Sequence, residues 1–222
     1  MKKYIATILL ALPLAVNAQN GWEKPQEEEP VVQQTTKKVA ETDVNPDAKY
    51  LRGAVPLVNG EVCWTLNADV PGKSAEEIYD KTYKILNAIT KSEGHLEGSG
   101  IALFNKQEHS IIANLKEWLV FRNSLLSLDR TRFNCTLIAV CKDGKLELTL
   151  KRISYLTGEV QENDYSVSNP PLEFHKAEGW ITDDEAVNKK NTKLYKGSAK
   201  YRRKTIDRKD EIFRTVQRAL KN

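Results

Sequence analysis

The chain has 222 residues, with 34 Lys and Arg against 30 Asp and Glu, for a net charge of +4. That length allows one large or two small domains, and the slight positive balance argues against a nucleic-acid-binding surface, which shows as a strongly basic domain. Three cysteines are too few for a disulfide framework, and an odd number leaves at least one thiol free.

Lys2 and Lys3 precede an uncharged, mostly apolar run from Ile5 to Val16, which ends at the small-residue pattern Val16-Asn17-Ala18. A charged start, an apolar stretch and a small-residue site in that order predict a signal peptide over 1–18, cleaved after Ala18. The run has 12 residues, whereas a membrane span needs about 20, so no anchor is expected after cleavage. With no cysteine near the site to carry a lipid, the expected product is a periplasmic or secreted protein of 204 residues and net charge +2, once Lys2 and Lys3 are gone. Export also weighs against a nucleic acid partner.

Residues 19–49 hold Glu27-Glu28-Glu29, Pro25, Pro30 and Pro46 and few large apolar side chains. Such a segment cannot bury enough surface to offset its ordering entropy, which predicts a disordered, acidic and polar linker. A single domain is expected over 50–222.

Asn59-Gly60 predicts a two-residue hairpin turn, since both turn positions need positive φ. In the strand that follows, Val62, Trp64, Leu66 and Ala68 alternate with polar positions and define one buried face. Ser74 with Glu77 three residues on forms a capping box, and Ile78, Tyr79, Thr82, Ile85, Leu86 and Ile89 follow at helical spacing. Four strands are expected next, over 101–105, 110–122, 132–142 and 145–155, the last two joined by Asp143-Gly144. That turn sets Cys141 opposite Leu146, Ala139 opposite Leu148 and Leu137 opposite Leu150, so Cys135 and Cys141 point into the core.

Cys135 and Cys141 lie about 20 Å apart along one strand and cannot bridge each other. A Cys63 bridge to either stays open beside the reading of three thiols. A polar loop containing Pro170-Pro171 is followed by a second capping box, Thr182-Asp183-Asp184-Glu185, predicting a short helix through Lys190. A terminal helix of about four turns is expected from Asp207, with Ile212, Phe213, Val216, Ala219 and Leu220 on one stripe.

Several stretches in order carry a family likeness: Gly53-Ala54-Val55-Pro56, Val70-Pro71-Gly72-Lys73-Ser74 with Glu77-Ile78-Tyr79, Glu117-Trp118-Leu119-Val120-Phe121, Leu126-Ser127-Leu128-Asp129-Arg130-Thr131 and Trp180-Ile181-Thr182-Asp183. Together they resemble an exported domain family of unknown function from Bacteroides-type bacteria, described as having a TATA-box-binding-protein-like (TBP-like) fold. Asn134-Cys135 stands where the pattern has an aromatic residue. The resemblance implies an α+β fold, a curved antiparallel β-sheet with helices packed on one face. It implies no activity, because fold does not carry function.

No catalytic, metal or cofactor site is legible. His95, His109 and His175 are dispersed and read as surface residues. Gly98-Ser99-Gly100 lacks the flanks of a nucleophile elbow, and Glu117 and Asp183-Asp184-Glu185 read as structural acids rather than a catalytic pair. Trp118 and Val120 face one side of a strand and Leu119 and Phe121 the other. Asp129 and Arg130 read as an ion pair that fixes the next turn.

Lys189 to Lys221 holds thirteen basic residues against Asp207, Asp210 and Glu211. Lys200, Arg202, Arg203, Lys204, Arg208 and Lys209 are therefore candidate anion-binding residues, against the plainer reading of a solvated helix face. The sequence thus points to an exported, non-catalytic domain that binds a protein or an anionic glycan or lipid of the cell envelope. The alternatives are an envelope or glycan hydrolase with a fold-assembled carboxylate pair, and an inhibitor of an exported enzyme that uses the open sheet face.

Overall fold

A computed structural model of the chain describes residues 45–92, 94–124, 127–158 and 172–221. The predicted leader, the linker up to residue 44 and Pro170-Pro171 lie outside the described residues.

Asn45 to Lys49, read above as linker, belong to the fold. Asn45 Nδ2 donates to the Thr192 carbonyl at 2.8 Å, Asp47 accepts from Arg203 at 2.6 and 2.8 Å, and a 3-10 turn runs over Ala48–Tyr50. Their partners lie more than 140 residues along the chain, so composition around Asp47 gave no sign of them.

The hairpin at Asn59-Gly60 forms as expected, with φ of 52° and 79°, between β1 (Leu57–Val58) and β2 (Glu61–Val62). The chain breaks at Cys63, whose N–H turns back to the Pro56 carbonyl at 3.2 Å, and resumes as β3 (Trp64–Asp69). Helix α1 (Ala75–Lys91) starts at the predicted capping box: Glu77 N–H donates to Ser74 Oγ, and Ser74 N–H to Glu77 Oε2. Ile78, Tyr79, Thr82 and Leu86 form its buried stripe.

Strands β4 (Gly100–Asn105), β5 (Ser110–Ser124), β6 (Ser127–Lys142), β7 (Lys145–Thr157) and β8 (Glu173–Lys176) complete an antiparallel sheet with β3. Its order is β3-β7-β6-β5-β4, and β8 also pairs with β7. The register across Asp143-Gly144 is the predicted one: Cys141 faces Leu146, Ala139 faces Leu148 and Leu137 faces Leu150. Register shifts within Ile101–Leu103, Val120–Arg122 and Asn134–Thr136 bend the strands, which is how an antiparallel sheet acquires curvature. At the last of these, Arg152 takes φ 55° and splits the outer edge of β7, with β3 paired before it and β8 after.

One face of the sheet is core. Leu115, Phe133, Leu137, Leu148 and Tyr155 are fully buried there, together with Ile78 and Leu86 of α1 and Ile212 and Val216 of the terminal helix. Cys135 and Cys141 point into this layer as predicted, and all three cysteines are free thiols.

The C-terminal third differs most from expectation. Strand β8 and a 3-10 turn (Ala177–Gly179) stand where loop was read. Helix α2 spans only Asp183–Ala186, and its expected capping box is absent: Thr182 Oγ1 donates backwards to the Glu178 carbonyl at 3.1 Å. Asp183 is engaged elsewhere, by Arg202 and by the Gly53 N–H.

Helix α3 runs over Lys196–Lys221, starting eleven residues before Asp207. Its first half buries Ala199, Tyr201, Arg202, Thr205 and Ile206, a stripe in which an arginine and a threonine occupy core positions and mask the apolar period. Tyr201 packs edge-on against Phe121, Tyr155 and Trp180, with centroids 4.7, 5.1 and 4.4 Å away. The Tyr155 hydroxyl meets Thr205 Oγ1 at 2.7 Å.

Candidate binding site on the open sheet face

The six cations singled out in the sequence do not form a free basic surface, and Arg202 in particular is corrected. It is fully buried and donates to the Tyr50, Leu51 and Ile181 carbonyls and to Asp183. Burial lowers its pKa, partly offset by Asp183.

Arg203 forks onto Asp47, Arg208 onto Glu117, and Lys200 meets Asp129 at 2.7 Å. Lys209 pairs with its neighbour Asp210, and only Lys204 of the six is exposed without an ion pair among the described residues. A run of basic residues reads as one charge patch in sequence, but a helix turns successive residues to different sides, where acids from remote segments neutralise them.

Asp129 therefore does not pair with Arg130. It binds Lys200, while Arg130 lies over the Trp118 ring, its guanidinium carbon 3.8 Å from the centroid. The candidate acids are engaged likewise: Glu117 by Arg208, Asp183 by Arg202, and Asp184 by Arg52 at 3.2 Å.

His95 is not a surface residue. Its side chain is 9% exposed, with Nδ1 2.6 Å from the Ser92 carbonyl and Nε2 3.3 Å from Glu117 Oε2. His175 stacks on Trp180 at 4.0 Å, and His109 meets Tyr79 edge-on at 6.0 Å. Among the described residues no three His, Cys, Asp or Glu side chains converge as a metal site.

What the fold does assemble lies on the sheet face that carries no helix among the described residues. Strand alternation sends Ile111, Ala113, Leu115 and Leu119 to the core and turns Lys116, Trp118 and Val120 outward, as parity predicts for Trp118 and Leu119. Pairing then lines these up in ranks across the sheet. One rank is Lys116, Asn134, Ser154 and Lys176; the next is Trp118, Arg132, Leu156 and Phe174; beyond it Val120 pairs with Arg130.

Trp118 carries Arg130 at 3.8 Å and Arg132 at 5.6 Å from its ring centre. A guanidinium over an indole is held by the ring while it keeps N–H donors suited to a carboxylate. Phe174 is 61% exposed at the rim. Among the described residues no carboxylate is in ion-pair range of Lys116, Arg130 or Lys176.

Two cavities flank this patch. One, of about 640 Å³, is lined by Leu96, Glu97, Gly98, Lys116, Arg132, Asn134 and Leu156. The other, of about 560 Å³, lies between the β1–β2 turn and β8, lined by Glu61, Arg152, Ser154, Phe174, Lys176 and their neighbours.

The sequence held a sign of this site in the shared parity of Lys116 and Trp118 on one strand and Arg130 and Arg132 on the next. Phe174 and Lys176 gave none, because β8 was read as loop.

A six-stranded antiparallel sheet with two long helices packed on one face makes the chain an α+β protein, and the fold is TBP-like. The family described as "Domain of unknown function (DUF4468) with TBP-like fold" matches residues 64–156, from β3 to the end of β7. The crystal structure of a DUF4468 family protein from Bacteroides ovatus is 37% identical, with a TM-score of 0.69 over 78% of this chain and 94% of that one. A TBP-like protein from Parabacteroides distasonis shares the fold at 21% identity and a TM-score of 0.55, over 76% of this chain and 97% of its own. No curated protein matches. The chain belongs to the DUF4468 family.

Proposed function

We propose that this protein is an exported, non-catalytic binding protein that engages an acidic protein partner of the cell envelope through its open sheet face. The observation that carries the reading is the Trp118 ring beneath Arg130, in rank with Arg132, Leu156 and exposed Phe174. Tryptophan, arginine and phenylalanine anchors, beside Lys116 and Lys176 with no carboxylate in ion-pair range among the described residues, are the composition of an interface hot spot. The leader pattern over 1–18 supports export. The acids Glu117, Asp183 and Asp184, each held by an arginine, favour binding over hydrolysis.

The test is site-specific photo-crosslinking in the native host. A photoreactive residue at Phe174 is expected to trap a discrete protein, and one at Tyr195, exposed outside this patch, is not. Arg130→Glu should abolish the crosslink, and about 0.5 M salt should weaken it. A crosslink that survives both changes would overturn the reading.

A further inference from the structure

One rank of paired residues runs from the first cavity to the second. The rank Lys116, Asn134, Ser154 and Lys176 crosses β5, β6, β7 and β8, perpendicular to the strands. Lys116 and Asn134 line the first cavity, and Ser154 and Lys176 line the second. Asn134 Nδ2 donates to Ser154 Oγ at 3.4 Å, so the floor between the cavities is polar and tied together. Leu156 and Phe174, in the neighbouring rank, form an apolar wall alongside.

Each end carries a lysine. Lys116 lines the first cavity, its Nζ against Gly98, where an added Cβ would come within 2.6 Å of it. Lys176 is exposed at the other end, beside Arg152. The acids in the second cavity are engaged, Glu61 by Lys151 at 3.2 Å and Glu178 by the Val62 N–H at 2.8 Å, whereas Glu97 lies in the wall of the first.

Three interstrand steps of about 4.8 Å set Lys116 and Lys176 about 14 Å apart, and four residues of extended peptide at about 3.4 Å each cover the same span. We infer that the two cavities and the rank between them form one groove, which binds an extended peptide segment with acidic residues at positions i and i+4, one carboxylate at Lys116 and the other at Lys176. An apolar side chain between them packs on Leu156 and Phe174. This rests on the open-face reading above and names the form of the partner's contact.

The experiment is a fluorescence-polarisation titration of the purified mature protein with labelled peptides. The probes are Thr-Glu-Thr-Val-Thr-Glu-Thr, the same composition with the two glutamates at i and i+2, and an oligogalacturonate as the sugar-borne alternative. The i, i+4 peptide should bind at least tenfold more tightly than the i, i+2 peptide. Lys176→Glu should weaken it at least tenfold, and Lys116→Glu at the other end should do the same. Unchanged circular dichroism and thermal melting identify folded variants, and Lys116→Gln provides a milder second change at the first end.

Equal binding of the two peptides, tighter binding of the oligogalacturonate, or indifference to Lys176→Glu would each overturn the inference. If the Phe174 crosslink persists in that case, the open-face reading stands while the groove assignment falls. If the crosslink is also absent, both fall.

Discussion

Arg208 of α3 closes a two-point fork on Glu117 of β5, at 2.6 and 2.8 Å, with side chains only 19% and 11% exposed. Burial works against the Arg208 charge, but the Glu117 carboxylate outweighs it and leaves the guanidinium pKa above its ordinary value. Removing one member strands the other charge in the core layer. Glu117→Gln is expected to lower unfolding free energy by about 3 kcal/mol, read from urea denaturation. The double change Glu117→Met with Arg208→Met should cost less than the two single changes summed.

Arg202 is a stronger case because it stands in for backbone pairing. Its guanidinium donates to the Tyr50 and Ile181 carbonyls and shares the Leu51 carbonyl with the Ala54 N–H. Arg202→Met should destabilise by about 3 kcal/mol or more in thermal or chemical melts. Lysine should not rescue it, since an ammonium cannot present the same planar set of donors.

Acid should loosen the N-terminal staple. Hydrogen bonds from Arg203 hold the Asp47 carboxyl below its ordinary pKa. The folded value lies under the unfolded value of about 3.9, so the stabilisation is present above that pH and is lost as pH falls through the folded value. In urea melts between about pH 2 and 5, Asp47→Asn should show a shallower fall in stability than the parent.

The three thiols should separate by reactivity. Burial pushes the Cys141 thiol up to about 11 and Cys135 higher still, whereas Cys63 is half-exposed. The thiolate is the reactive form, so at about pH 8 the native protein should titrate one thiol with Ellman's reagent, and three in denaturant. Cys63→Ser should abolish the fast phase.

What was legible in the sequence was local. Asn59-Gly60, Asp143-Gly144 and the Ser74–Glu77 box each fix geometry within a few residues, and the period of two then carries Cys141, Ala139 and Leu137 into register. What escaped was set by remote partners. The first half of α3 was missed because Arg202 and Thr205 occupy its buried stripe, satisfied by groups from other segments. The basic run from Lys189 looked free because Asp47, Glu117 and Asp129 lie 70 residues or more away from the cations they bind. The candidate groove escaped because its rank draws one residue from each of four strands, one of them unrecognised.

The earliest described residues are clasped by the last helix: Asp47 by Arg203, with Lys49 and Tyr50 on Asp207, while Arg202 reaches the Tyr50 and Leu51 carbonyls. A nascent chain still missing α3 has no counterpart for any of these contacts. The native clasp therefore closes only after the final stretch has left the ribosome.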